Sequence, residues 1–122
     1  MLTSSCNAFL DRLASGQPVP GGGGASALCG ALGAALGSMV CHLTLGKKKY
    51  ADVQQDIERL LQQAESLRAQ LQDLVQQDAV AFEPLSQAYG LPKSTPEELA
   101  HREEVMARCL RDACQVPLDI ME

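Results

Sequence analysis

Pro18-Val19-Pro20-Gly21-Gly22-Gly23-Gly24 leads into Ala25–Gly46, a stretch without one Asp, Glu, Lys or Arg, and the run closes on Lys47-Lys48-Lys49-Tyr50. Eight of the ten glycines lie between Gly21 and Gly46, so the bias belongs to this segment rather than to the whole chain. Glycine inside a helix costs about 1 kcal/mol relative to alanine. A segment that keeps so many needs close backbone approach, to another helix or to a ligand. The spacing predicts a helix from about Ala25 to Leu45. At about 100° per residue, Ser26, Gly30, Gly33, Ala34, Gly37 and Cys41 share one side. Leu28, Leu32, Leu36, Met39 and Leu43 share the other. A helix apolar all round is a buried helix. Its length also admits a bilayer span. Glycine and alanine dominate it, however, and the segments that follow are amphipathic, so the reading is a soluble bundle with no membrane partner.

The neighbouring segments are helical too. Thr3, Ser4 or Ser5 can cap a first helix to about Ser15, with Phe9, Leu10 and Leu13 as its buried stripe. Gly16 stops it. From about Asp52 to Tyr89, the residues Val53, Ile57, Leu60, Ala64, Leu67, Leu71 and Leu74 repeat at alternating four and three, a heptad seam. Gln, Glu, Asp and Arg fill the flanks. Asp78 occupies the next seam position, where a leucine is expected, and Phe82 and Leu85 resume the apolar pattern. A helix of this length spans roughly 50 Å, more than one small domain covers, which points to a partner subunit. Gly90 ends it, and Leu91-Pro92-Lys93 connects onward. Thr95-Pro96-Glu97-Glu98 is a capping box with proline at the first helical position. A fourth helix follows, with Leu99, Met106, Leu110 and Ala113 on one face and a kink or break expected at Pro117. Leu118, Ile120 and Met121 leave an apolar surface for helices supplied elsewhere.

The expected architecture is therefore all-α, one helical domain over residues 1–122. It is a dimeric bundle with one buried Gly/Ala-rich helix and one long heptad-patterned helix. With two Phe, two Tyr and no Trp, Leu and Ala must fill the core, which suits helices rather than a β-sandwich. A net charge of −5 without a basic, aromatic-interleaved patch excludes nucleic acid as a partner. Cys6, Cys29, Cys41, Cys109 and Cys114 are odd in number and lack a CxxC pair, so they read as reduced thiols. No secretory signal pattern opens the sequence, and the expected compartment is cytoplasmic.

Four features could carry chemistry. Gly21, Gly22, Gly23 and Gly24 form a loop before a helix, whose amides suit an anion or carbonyl; the alternative is a plain interhelical turn. No Gly-Lys-Ser/Thr follows for a Walker loop, and no strand precedes for a dinucleotide fingerprint. Lys47, Lys48 and Lys49 either complement the helix dipole or clamp an anionic tail, one of them with a lowered pKa as proton shuttle. Asp78 either sets register in a seam or is a buried acid or base. His42 reads as structural. No His/Cys/carboxylate group has metal-ligand spacing, so no metal is expected.

These motifs in this order resemble the cyclodeaminase/cyclohydrolase family of folate enzymes. The carriers are Phe9-Leu10, Pro18–Gly23, Leu43-Thr44-Leu45-Gly46-Lys47-Lys48-Lys49-Tyr50, Asp78-Ala79-Val80-Ala81-Phe82, Leu91-Pro92-Lys93 and Val116-Pro117. Two departures stand out. Gly24 replaces the family's usual Ser, and family domains continue past Pro117 with further helices. The resemblance implies a homodimer and a tetrahydrofolate substrate, with no separate cofactor. It also implies either ring opening of methenyltetrahydrofolate or ring closure of formiminotetrahydrofolate with loss of ammonia. On that reading Asp78 and Lys48 are catalytic, while Gly21–Gly24, Lys47 and Lys49 bind substrate. The competing reading is a non-catalytic helical interaction module, or an inactive fragment of the family.

Overall fold

Ser5 caps the first helix: its side-chain oxygen accepts from the Ala8 N–H at 3.1 Å. In the computed structural model, which describes residues Met1–Glu122, four α-helices follow one another and no strand occurs. They are α1 (Cys6–Ala14), α2 (Gly22–Thr44), α3 (Gln54–Ala88) and α4 (Pro96–Met121). A short 3-10 segment, Lys48–Val53, joins α2 to α3.

α2 begins earlier than its composition predicts. Gly22, Gly23 and Gly24 form its first turn, and Gly21 is the N-cap. Poor helix formers are helical here because Gly24 is buried, with Pro20 and Val75 beside it. α2 and α3 run side by side in opposite directions, since Gly24 meets Val75, Gly30 meets Leu71 and Ser38 meets Glu65. The packed seam of α2 is Gly24, Ala27, Ala31, Ser38 and Cys41. Small residues there let the two backbones approach. An added Cβ at Gly30 would sit 3.0 Å from Leu71, whereas one at Gly33 or Gly37 would meet nothing within 4 Å. The leucine side is not buried within the chain. Leu32 is 58% exposed and Leu36 61% exposed. α2 is thus covered on one side only. It also has the length and hydropathy of a membrane span, although its Gly24–Ala27–Ala31–Ser38–Cys41 edge packs on a helix whose outer face is charged, while Ser26, Gly33 and Gly37 of the expected small side stay exposed.

α3 uses a different edge of its heptads from the one predicted. Val75 is buried, and Ile57, Leu61, Ala64, Arg68 and Leu71 are half-buried, while Leu60 and Leu67 are 51% and 53% exposed. Two overlapping seams share Ile57, Ala64, Leu71, Asp78 and Leu85. α2 covers the one that carries Leu61, Arg68 and Val75, Phe82 further along it packs toward α4, and the Leu60/Leu67 edge is left open. α3 continues through Pro84 without a break.

α4 starts at the expected box. Thr95 Oγ1 accepts from the Glu98 N–H at 3.1 Å, and Glu98 accepts from the Ser94 N–H at 3.0 Å. It runs unbroken through Pro117, contrary to the expected break. Cys109 and Val116 are its buried residues; Leu99 and Leu110 lie at the edge of the contact, both exposed. Only 12 of 122 residues are buried, so the core is small and split. One cluster joins Phe9, Ala27 and Val75; the other joins Leu85, Ala88 and Cys109.

Candidate functional site

The first turn of α2, the last third of α3 and the later half of α4 enclose a cavity of about 330 Å³. Gly21, Gly22, Gly23 and Asp78 line it, with Phe82, Cys114 and Pro117 among the walls. Asp78 reaches the glycines because α3 returns antiparallel to α2, bringing its later part to the start of α2. The contact is close. A Cβ added at Gly23 would lie 2.7 and 2.8 Å from Asp78 Cγ and Oδ2, and closer still to Oδ1. Real Cβ atoms do not approach so near, so Gly23 is required sterically for this placement. At Gly24 the nearest atoms, Asp78 Oδ2 and Pro20 Cβ, stand 3.8 Å away, and at Gly22 nothing lies within 4 Å.

The electrostatics of the cavity follow from the helix ends. Gly22, Gly23 and Gly24 contribute N–H groups with no intrahelical acceptor, since the first ladder bond is Ala25 N–H to the Gly21 carbonyl. Asp78 is half-buried, and no hydrogen bond or ion pair in the chain ties its carboxylate. An acceptor-only group thus stands beside free backbone donors, in a space of a size suited to a small ring system.

The predicted lysines lie elsewhere. Lys47, Lys48 and Lys49 follow the other end of α2, which at 23 residues puts them roughly 30 Å from the glycine turn. Gly46, at φ 78°, makes the bend into them. Gln54 holds that bend: its Oε1 accepts from the Gly46 N–H at 2.9 Å, and its Nε2 donates to the Tyr50 carbonyl at 3.0 Å. Lys49 Nζ sits 5.7 Å from the Tyr50 ring centre. Within one chain, then, the structure brings Asp78 to Gly21–Gly24 and keeps the three lysines away from both.

Some residues escaped the sequence reading. Phe82, Cys114 and Pro117 join the cavity wall; the signal available for Pro117 was a proline inside a helical pattern. Halfway along the α2–α3 contact, Ser38 Oγ donates to Glu65 at 3.1 Å, and Glu65 pairs with Arg68 at 2.6 Å beside His42. The Arg68 hydrogen bond first, then that of Ser38, holds Glu65 below its ordinary pKa of 4.5. No three His, Cys, Asp or Glu side chains converge anywhere in the chain.

Residues 5–122 match the family model described as formiminotransferase-cyclodeaminase. The chain is 52% identical over 110 residues to a methenyltetrahydrofolate cyclohydrolase of Methylorubrum extorquens, covering 90% of this chain and 53% of that protein. It is 38% identical over 122 residues to a formimidoyltransferase-cyclodeaminase of Rattus norvegicus, covering 23% of it. The crystal structure of formiminotetrahydrofolate cyclodeaminase from Thermotoga maritima superposes with a TM-score of 0.76 at 36% identity, over 96% of this chain and 54% of that one. The chain therefore spans about half the length of the cyclohydrolase and of the Thermotoga protein. From the family match, the shared fold and the ordered motifs together, the chain belongs to the formiminotransferase-cyclodeaminase family.

Proposed function

We propose that this chain opens the ring of 5,10-methenyltetrahydrofolate by adding water at the amidinium carbon. The observation that carries the proposal is the Asp78 carboxylate, seated on Gly23 with no protein donor bonded to it. A free carboxylate facing a cationic carbon stabilises that charge and accepts the proton of the attacking water. The amides of Gly22 and Gly23 hold the ring or its tail, and Gly21 shapes the bend. Ring closure of a formimino substrate with loss of ammonia is the second reading, favoured by the likeness to the Thermotoga cyclodeaminase. It uses the same carboxylate on a different leaving nitrogen.

On this reading residues 1–122 belong to one helical domain that works as a homodimer. The open face of α2, with Leu32, Leu36, Gly33 and Gly37, is the contact surface. An antiparallel partner α2 would bring the second chain's lysine turn to the first chain's cavity. Lys48 would then assist proton transfer, and Lys47 and Lys49 would hold the substrate's carboxylates. The test is direct. Methenyltetrahydrofolate absorbs in the near ultraviolet, so its hydrolysis is followed by loss of absorbance, while ammonia release reports the formimino reaction. Turnover by a species of dimeric mass is expected. A folded dimer that neither binds nor converts either folate would overturn the proposal.

A further inference from the structure

Pro117 is embedded in α4, four residues before the last residue of the helix, and the helix does not break there. Proline has no N–H, so the carbonyl of Ala113, four residues earlier, lacks the donor that a regular α-helix supplies. No turn or loop hydrogen bond ends on that carbonyl either. Residues four apart lie on one helix face, and both Ala113 and Pro117 line the cavity that holds Asp78 and the glycine turn. A free backbone acceptor is costly unless something donates to it. The rest of the wall contributed by α4 offers Leu110 and Cys114, so no strong protein donor stands there.

We infer that the Ala113 carbonyl, freed by Pro117, is a fixed acceptor in the site for a ring N–H of the bound folate. The inference rests on the functional reading above and extends it to specificity. Pro117 is a positioning residue here; the group that touches the ligand is the Ala113 carbonyl. The cavity then has a polar logic. Backbone N–H groups of α2 meet ligand acceptors at one end. The Ala113 carbonyl meets a donor on the α4 wall, and the Asp78 carboxylate remains available for the reacting carbon. A reduced pterin carries both kinds of group on one flat ring, and Phe82 offers that ring an apolar surface.

Two variants at one position separate the missing N–H from the proline ring. Pro117→Ala restores the N–H and lets it bond the Ala113 carbonyl. The ester analogue carries lactate at 117, so it has the alanine side chain and still no N–H. Ligation at Cys114 with a synthetic Cys114–Glu122 peptide makes the 122-residue chain with either residue. The probe is 5-formyltetrahydrofolate, with Kd measured by calorimetry. For Pro117→Ala we expect Kd to rise about tenfold, equivalent to about 1.4 kcal/mol, with a melting temperature no lower than that of the parent. The lactate chain should bind like the parent. Equal binding by Pro117→Ala would overturn the inference, and so would a lactate chain as weak as the alanine one. If the parent itself fails to bind any folate, the functional reading falls and takes the inference with it. If the parent binds and turns over substrate while Pro117→Ala is unchanged, only the inference falls.

Discussion

Gly23→Ala is the substitution on which local geometry bears hardest. The new Cβ would lie 2.7 Å from Asp78 Cγ and 2.8 Å from Oδ2, where ordinary contact begins near 3.4 Å. The helix backbone has no reason to move, because alanine is the better helix former by up to about 1 kcal/mol. The carboxylate is the mobile partner, and it must retreat by roughly 1 Å, a misplacement of the kind that costs on the order of 100-fold in rate. We therefore expect kcat/KM for methenyltetrahydrofolate to fall about 100-fold, with circular dichroism and melting temperature preserved. The cause is checked by a double-mutant cycle with Asp78→Asn. Once the carboxylate is neutralised, evicting it should cost little more, so the two losses should be strongly non-additive. Full activity in Gly23→Ala would refute the reasoning. So would additive losses, since they would mean that Gly23 acts independently of Asp78.

Other positions give further outcomes. Gly24→Ser should be accommodated, because its Cβ finds 3.8 Å of clearance, and it should raise stability by up to about 0.5 kcal/mol through helix propensity, read as a higher urea midpoint. Glu65 has its pKa depressed by the Arg68 and Ser38 hydrogen bonds. Its contribution to stability is therefore present above pH 4.5 and fades as pH falls through the lowered value; Glu65→Gln should flatten that acid limb in pH-dependent unfolding. Val75→Ala removes two methyl groups from the most buried large side chain of the core, and chemical denaturation should show a loss of about 2 kcal/mol.

The sequence made the helical periods legible because each has a local cause. Ser5 and the Thr95/Glu98 box cap their helices by hydrogen bonds that need no tertiary partner. Asp78 stood out because a carboxylate interrupts a run of apolar seam positions. What local rules could not show is which edge of a wide heptad face α2 would take. Leu60 and Leu61 both fit the period, and the Gly24, Ala27, Ala31 and Cys41 edge of α2, together with the Ser38–Glu65–Arg68 contact, selects the edge that carries Leu61 and Arg68. Propensity likewise argued against helix at Gly22–Gly24, where packing on Pro20 and Val75 prevails. Pro117 looked like a stop, yet buried Val116 holds the helix through it. The lysine turn and the glycine turn are near in sequence and far in space, because a straight helix separates them.

The most direct test is single-turnover hydrolysis of methenyltetrahydrofolate by the parent chain and by Asp78→Asn, monitored in the near ultraviolet. Because no hydrogen bond in the chain depends on that carboxylate, the variant should fold with an unchanged melting temperature. Its rate should drop by about 10²–10⁴-fold, the range for loss of a positioned acid or base. A folded Asp78→Asn chain that opens the ring as fast as the parent would contradict the account.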